Sequence, residues 1–242
     1  MASYSRRAIG HQSSDPGRSE QRPLPARSNA DANERLRQHQ ALRDLVRGTN
    51  TNAFESTGLR PEVFSKALRA FERAFAQGRS DEAVVTIIDY ELHSSAKRMW
   101  VIDLETKRLL FHEHVTHGRG SDPNHDGFAD RMSNVNGSNS SNVGLMVTGE
   151  TYTGARGFSL KLDGLEPGFN DNARSRGIVV HGATYADEGF LQQHGKTGRS
   201  QGCPAVDPDV NGAVIETIKD GNLVFAYYPD PNWLRRSTFL NN

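Results

Sequence analysis

A chain of 242 residues has room for one large domain or two small ones, and 35% apolar content is enough for a hydrophobic core. Lys and Arg number 29, as do Asp and Glu, so the net charge at pH 7 is zero and a strongly basic nucleic-acid-binding class is excluded. The longest apolar run, six residues from Leu223 to Tyr228, falls far short of the roughly 20 that span a bilayer, and a single cysteine excludes disulfide scaffolds and zinc fingers.

The charge is uneven. The first 50 residues hold nine arginines and five acids, leaving twenty bases and twenty-four acids behind them, so a +4 segment precedes a −4 body. Residues 1–30 scatter Arg6, Arg7, Arg18, Arg22 and Arg27 among Ser, Gln, Pro and Gly, a composition that predicts a disordered basic tail. No apolar stretch of 7 to 15 residues follows its positive start, so no export signal is visible in this chain. From Asp31, Leu36, Leu42, Leu45 and Val46 give a modest helical pattern ended by Gly48. A stronger helix opens at Pro61, where Phe64, Ala67, Leu68, Phe71 and Phe75 recur at helical spacing up to Gly78.

Beyond Ala83 the period shortens. AVVTIIDY, RMWVIDL and LLFHEHVT predict a three-stranded meander. Further strands are expected over 143–148, 158–162, 177–181 and 222–228, with a helix opened by Asp207-Pro208 and ended by Gly221. The body therefore reads as mainly β, behind a helical segment over 31–80, and residues 231–242 read as a C-terminal tail.

The segment 178–206 carries the densest chemical signal. A buried-looking strand ends at His181-Gly182, and a glycine-rich loop leads to Ser200-Gln201-Gly202-Cys203-Pro204. A strand end holds a histidine still. A glycine before a thiol admits close backbone approach and supplies an N–H toward the group that the sulfur attacks. Nucleophile, base and oxyanion donors are the parts of a thiol acyl-transfer site, with Cys203 as nucleophile and His181 the imidazole that draws it toward a reactive ion pair. Such a pair would bring the alkylation inflection of the thiol below pH 8. Tyr185, in the loop between base and nucleophile, is a candidate substrate contact.

Two other patterns invite metals. His112 and His114 of HEHVTH share a strand face, but Glu113 points away and no second cluster supports zinc. Asp122-Pro123-Asn124-His125-Asp126-Gly127 fits the start of a calcium loop, yet its twelfth position is Ser133 where a glutamate is needed, so a solvated turn is expected and no metal or other cofactor is implied.

His181-Gly182 and Ser200-Gln201-Gly202-Cys203 resemble, in order and type, the signature of the murein L,D-transpeptidase catalytic domains, the YkuD-like family. The similarity extends through Asp89-Tyr90, Trp100 to Leu104, Val115 to Gly120, Met132-Ser133-Asn134, Ser140 to Gly144, Thr148 to Tyr152 and Ser159 to Glu166, and covers roughly residues 55–228. Gln201, Pro204-Ala205 and the twenty-two residue spacing from base to nucleophile depart from the commonest family pattern.

The resemblance implies a β-sandwich catalytic domain over 81–230. It implies a cysteine that attacks the carbonyl after the third residue of a peptidoglycan stem tetrapeptide, expels D-alanine, and passes the thioester-bound acyl group to an amine of a second stem as a 3,3 cross-link. By this carry-over the backbone N–H groups of Gly202 and Cys203 serve the oxyanion, Ser200 orients the site, and Arg199 meets a substrate carboxylate near Gly182 and Tyr185. A carbapenem β-lactam is expected to acylate the thiol, and a wall substrate places the protein in the periplasm or cell envelope. Alternatives left open are an L,D-carboxypeptidase that uses water as acceptor, a silent peptidoglycan-binding module, and a toxin delivered into a competitor's envelope.

Overall fold

The structure, a computed structural model, describes residues 29–241, so the tail expected over 1–30 lies outside it except for Asn29 and Ala30, which open the first helix. Two helices lead: α1 (Asn29–Arg47) and α2 (Pro61–Ala76). Pro61 sits in the first turn of α2, where its missing N–H costs nothing, and Gly78, at φ +64°, turns the chain away beyond its end. Val63, Phe64, Ala67, Leu68, Phe71, Ala74 and Phe75 are all buried, as the 3.6-residue spacing requires.

Eight strands follow: β1 (Val84–Asp89), β2 (Met99–Asp103), β3 (Arg108–Glu113), β4 (Gly144–Gly154), β5 (Gly157–Gly164), β6 (Val179–Gly182), β7 (Ala205–Val206) and β8 (Leu223–Tyr227). Helices α3 (Glu188–His194), α4 (Pro208–Ile218) and α5 (Pro231–Arg236) interrupt or follow them. The strands form one sheet in the order β3-β2-β1-β8-β4-β5-β6-β7. The expected meander β1-β2-β3 is antiparallel, whereas β1 pairs in parallel with β8 from the far end of the chain.

Alternation along the strands supplies two cores. Val85, Ile87, Trp100, Ile102, Leu223, Phe225 and Tyr227 face α1, α2 and α5, with Phe71 edge-on to Phe225. Their neighbours Ile88, Met99, Val101, Val224 and Ala226 face the other way and share a core with Leu160, Leu162, Val180, Val206 and the α4 residues Val214, Ile215 and Ile218. Helix α4 thus packs on β6, β5 and β1 alike, which gives the mainly β body its sandwich-like depth.

Three features differ from the sequence reading. The helical segment 31–80 is not a separate unit, because Leu42, Val46 and the α2 face belong to the same core as β1 and β8. The stretch read as a C-terminal tail forms α5 and buries Trp233, Phe239 and Leu240. Helix α3 is too short and too polar to announce itself, and β7, though apolar, is only two residues long.

Candidate active site

His181 lies on β6, paired with Ser159 of β5 on one side and Ala205 of β7 on the other, so both edges of its strand are fixed. The parallel pairing with Ala205 brings the loop that carries Cys203, two residues upstream, beside β6. His181 and Cys203 line one cavity of about 200 Å³.

The imidazole is 1% exposed. Its Nδ1 lies 2.8 Å from the Gly182 carbonyl, which can only accept, so Nδ1 carries the proton and donates. Nε2 is then a bare acceptor, and it has no hydrogen-bond partner among the described residues. Burial holds the imidazole below its usual pKa, against the Gly182 hydrogen bond that favours the cation, and the nearby Arg156 charge adds to the lowering. His181 is therefore neutral at pH 7, with the tautomer a general base needs.

Cys203 is half-buried, and its Sγ donates to the Gly177 carbonyl at 3.6 Å. Burial raises the thiol pKa above its ordinary value, although a backbone contact from Val179 and the charges of Arg156 and Arg176 favour the thiolate. Thiol and imidazole are thus displaced in the directions that keep both neutral, which corrects the expectation of a preformed ion pair.

A tight turn presents the sulfur. Ser200 Oγ donates to the Cys203 carbonyl at 2.7 Å and accepts the Gly202 N–H at 3.0 Å. Gly202 adopts φ +117°, and a Cβ there would lie 2.6 Å from the Ser140 carbonyl oxygen, so both the turn and its packing require glycine. Because the Gly202 N–H is already committed to Ser200, it is not free to donate to an oxyanion. The Cys203 N–H, by contrast, meets no acceptor among the described residues.

Behind the turn stands a buried polar scaffold. The Ser200 N–H donates to the His117 carbonyl, and the Ser141 hydroxyl donates to the Gly202 carbonyl. Arg98, fully buried, donates to His117 Nδ1 at 2.9 Å, so His117 Nε2 carries the proton and donates to Asp122 at 3.1 Å. Burial first, and Arg98 second, lower the His117 pKa to about 4. This histidine stays neutral and supports the turn through its carbonyl. Asp122 is completely buried and also accepts the N–H groups of Asp126 and Gly127, so the expected turn has a buried anchor, while its Pro123, Asn124 and Asp126 are exposed. His112 and His114 each place Nε2 against a backbone carbonyl, those of Lys97 and Ser95, and no group of three or more metal-ligating side chains gathers among the described residues.

The model of the L,D-transpeptidase catalytic domain matches residues 55–227. The chain belongs to this family. Among curated proteins none matches. Solved structures with a similar chain path include an L,D-transpeptidase from Mycobacterium smegmatis (11% identity, 60% of this chain and 59% of that one, TM-score 0.38), LdtMt1 in complex with imipenem (11%, 60% and 59%, 0.37) and the helical cell shape determining protein Pgp2 from Campylobacter jejuni (15%, 66% and 54%, 0.36). The chain spans just over half the length of each of these.

Set on this L,D-transpeptidase domain, the residues expected from sequence separate into two groups. Cys203, His181 and Ser200 converge, and the Gly182 carbonyl accepts the His181 Nδ1–H, while Gly182 packs on Pro208 and Asn211 of α4 rather than lining the cavity. Arg199 does not reach the cavity: its guanidinium donates to the Asp122 carbonyl. Tyr185 packs against Gly198 and stands near enough to Arg156 and Cys203 for their charges to act on its hydroxyl, but it is not part of the cavity lining.

The basic groups that do line it, Arg156 and Arg176, were not singled out from the sequence. Arg156 occupies the two-residue tip between β4 and β5, and Arg176 lies in the loop before β6. Neither position carries a motif, and only the β5–β6 pairing brings the hairpin tip over His181.

Proposed function

We propose that this protein is a cysteine-dependent L,D-transpeptidase acting on peptidoglycan stem tetrapeptides. The supporting observation is the bare, buried Nε2 of a neutral His181 in the same cavity as the Cys203 thiol. The family supplies the reaction class, and the residues supply a route through it.

The thiol turns from the Gly177 carbonyl to Nε2, which takes its proton as sulfur attacks the carbonyl carbon after the third stem residue. The Cys203 N–H is the available donor to the developing oxyanion. Collapse breaks the peptide bond, and His181 returns its proton to the departing D-alanine nitrogen, leaving a thioester. An amine of a second stem then attacks this thioester, forms the 3,3 cross-link and frees the thiol. Because the pair begins neutral, proton transfer accompanies attack, which makes His181 a general base in the full sense. A wall substrate places the protein in the cell envelope, and among the described residues no helix is long and apolar enough to cross a membrane.

Incubation with purified stem peptides, followed by mass analysis, tests the reading. Cross-linked dimer and released D-alanine are expected from the wild type and neither from Cys203→Ala. Tripeptide without dimer would instead assign water as the acceptor. Imipenem is expected to add one acyl group to the wild-type mass and none to Cys203→Ala, since a strained β-lactam carbonyl presents the same electrophile to the same sulfur.

A further inference from the structure

The cavity wall around Cys203 carries two guanidinium groups and no carboxylate. The two arginines differ in one respect. Arg176 is occupied with holding the chain: its guanidinium donates to the Ser133 and Ser140 carbonyls, Ser138 Oγ and Asn142 Oδ1, and so ties the 133–142 loop to the cavity edge. Arg156 is exposed, and no hydrogen bond or ion pair engages it among the described residues.

The placement of Arg156 follows from the sheet. Gly154 pairs with Gly157, so Ala155 and Arg156 form the tip of the β4–β5 hairpin, closed by Gly157 at φ +74°. Ser159 of β5 lies opposite His181. Arg156 is three residues from Ser159, about 10 Å along the strand, and a guanidinium on a long flexible stem returns over the end of β6, where it joins the cavity lining. Its charge acts on Cys203, His181 and Tyr185 together, which sets it close to the reacting groups. A positive group that stabilises nothing in the fold, held at the mouth of a cavity with no acid of its own, is built to be neutralised by a ligand. A planar fork of N–H donors suits a carboxylate in bidentate fashion.

We propose that Arg156 is the specificity-determining residue that receives a carboxylate of the acyl donor, the role first assigned from sequence to Arg199. This rests on the stem-peptide reading above. A stem tetrapeptide offers two such carboxylates beside the scissile bond: the C-terminus of the departing residue and the side-chain carboxyl of a diaminopimelate third residue. Both present the same chemistry to the guanidinium.

Three synthetic donors separate the possibilities: the free tetrapeptide, its C-terminal amide, and its third-residue side-chain amide. The quantity measured is kcat/KM for release of the fourth residue. Wild-type protein is expected to prefer the free donor over one of the two amides by tenfold or more, and the amide that suffers identifies the carboxylate. Arg156→Gln is expected to bring the ratio of kcat/KM for the free donor over the disfavoured amide to within about twofold of one, while any change from the lost charge beside Cys203 falls on all three donors alike, and Arg156→Lys is expected to retain part of the preference.

A hairpin-tip side chain without structural partners leaves the fold intact when replaced. Persistence of the wild-type preference in Arg156→Gln, or equal use of all three donors by the wild type, overturns the assignment while leaving the peptidase chemistry in place. Release from none of the three donors by the wild type overturns the stem-peptide reading, and this proposal with it.

Discussion

Cys203 and His181 line one cavity in which burial favours the neutral form of each, and that has a measurable signature. Burial lifts the thiol above its usual range and depresses the imidazole, so raising the pH ionises the sulfur late, and lowering it protonates His181 only below about 6.5. Iodoacetamide alkylation of Cys203 is therefore expected to rise with pH through an inflection above that of an ordinary thiol, about 8.5. Turnover is expected to hold on the acid side to below pH 6.5, and His181→Ala to lower it by about 10²–10⁴-fold, the usual contribution of a general base. An alkylation inflection under pH 8 would mean that the ion pair exists before substrate arrives. Cys203 and His181, which the structure brings to one cavity, stood out in the sequence because thiol acyl-transfer chemistry restricts residue types and each sits beside a glycine. Arg156 and Arg176 were not, since what makes them part of the site is a cross-strand register and a loop clamp, neither of which leaves a local pattern.

At the level of elements, the site is a turn held against a loop, and glycines set their separation. Gly118 forms an isolated bridge with Ser200, and a Cβ on it would lie 2.8 Å from both Cα and N of Gly202 and nearer still to the Asn139 carbonyl oxygen, closer than real side chains approach backbone. Gly118→Ala must push apart the loop at Asn139 and the Ser200–Cys203 turn. It is expected to cost about 1–3 kcal/mol of stability, as overpacking does, and to reduce turnover at least tenfold with circular dichroism unchanged. Full activity in a folded Gly118→Ala protein would show that the turn tolerates displacement. Where a segment buries one helical face at a regular period, as α2 does, or is a short apolar run buried on both faces, as β1, β2 and β8 are, its sequence announced it with bounds within a few residues. β4 runs beyond its apolar half, to Gly154, because its outer residues pair with β5 in a ladder whose side chains are mostly exposed or half-buried. β7 is two residues long and exists through its partner β6. The 116–142 region shows little secondary structure, yet it supplies the brace of His117, Asp122 and Ser141, whose polar residues resemble an ordinary surface loop until burial is known.

Across the whole molecule, the last helix ties the C-terminal stretch of the described residues to the sheet. Trp233 on α5 is fully buried against Phe225 and Tyr227 of β8, and its indole N–H donates to Glu166 at 3.0 Å. The other oxygen of Glu166 accepts the Leu145 N–H of β4 at 2.7 Å, so one buried carboxylate joins α5 to the strand whose far end carries Arg156. Burial raises the pKa of Glu166, opposed by these hydrogen bonds and one from Ser237. Removing the indole therefore does two kinds of damage: it opens a cavity between α5 and β8, and it leaves a buried carboxylate oxygen without its donor. Trp233→Ala is expected to lose about 3–5 kcal/mol, the range for a large aromatic deleted from a core. Trp233→Phe keeps most of the packing and loses the N–H, for about 1–3 kcal/mol. Urea unfolding measures both, and the midpoint should fall in that order while the slope holds, since a slope that stays constant marks a single cooperative unit. If Trp233→Ala leaves the midpoint where it was, residues 231–241 are an appendage, and this face of the sheet is held by α1 and α2 without them.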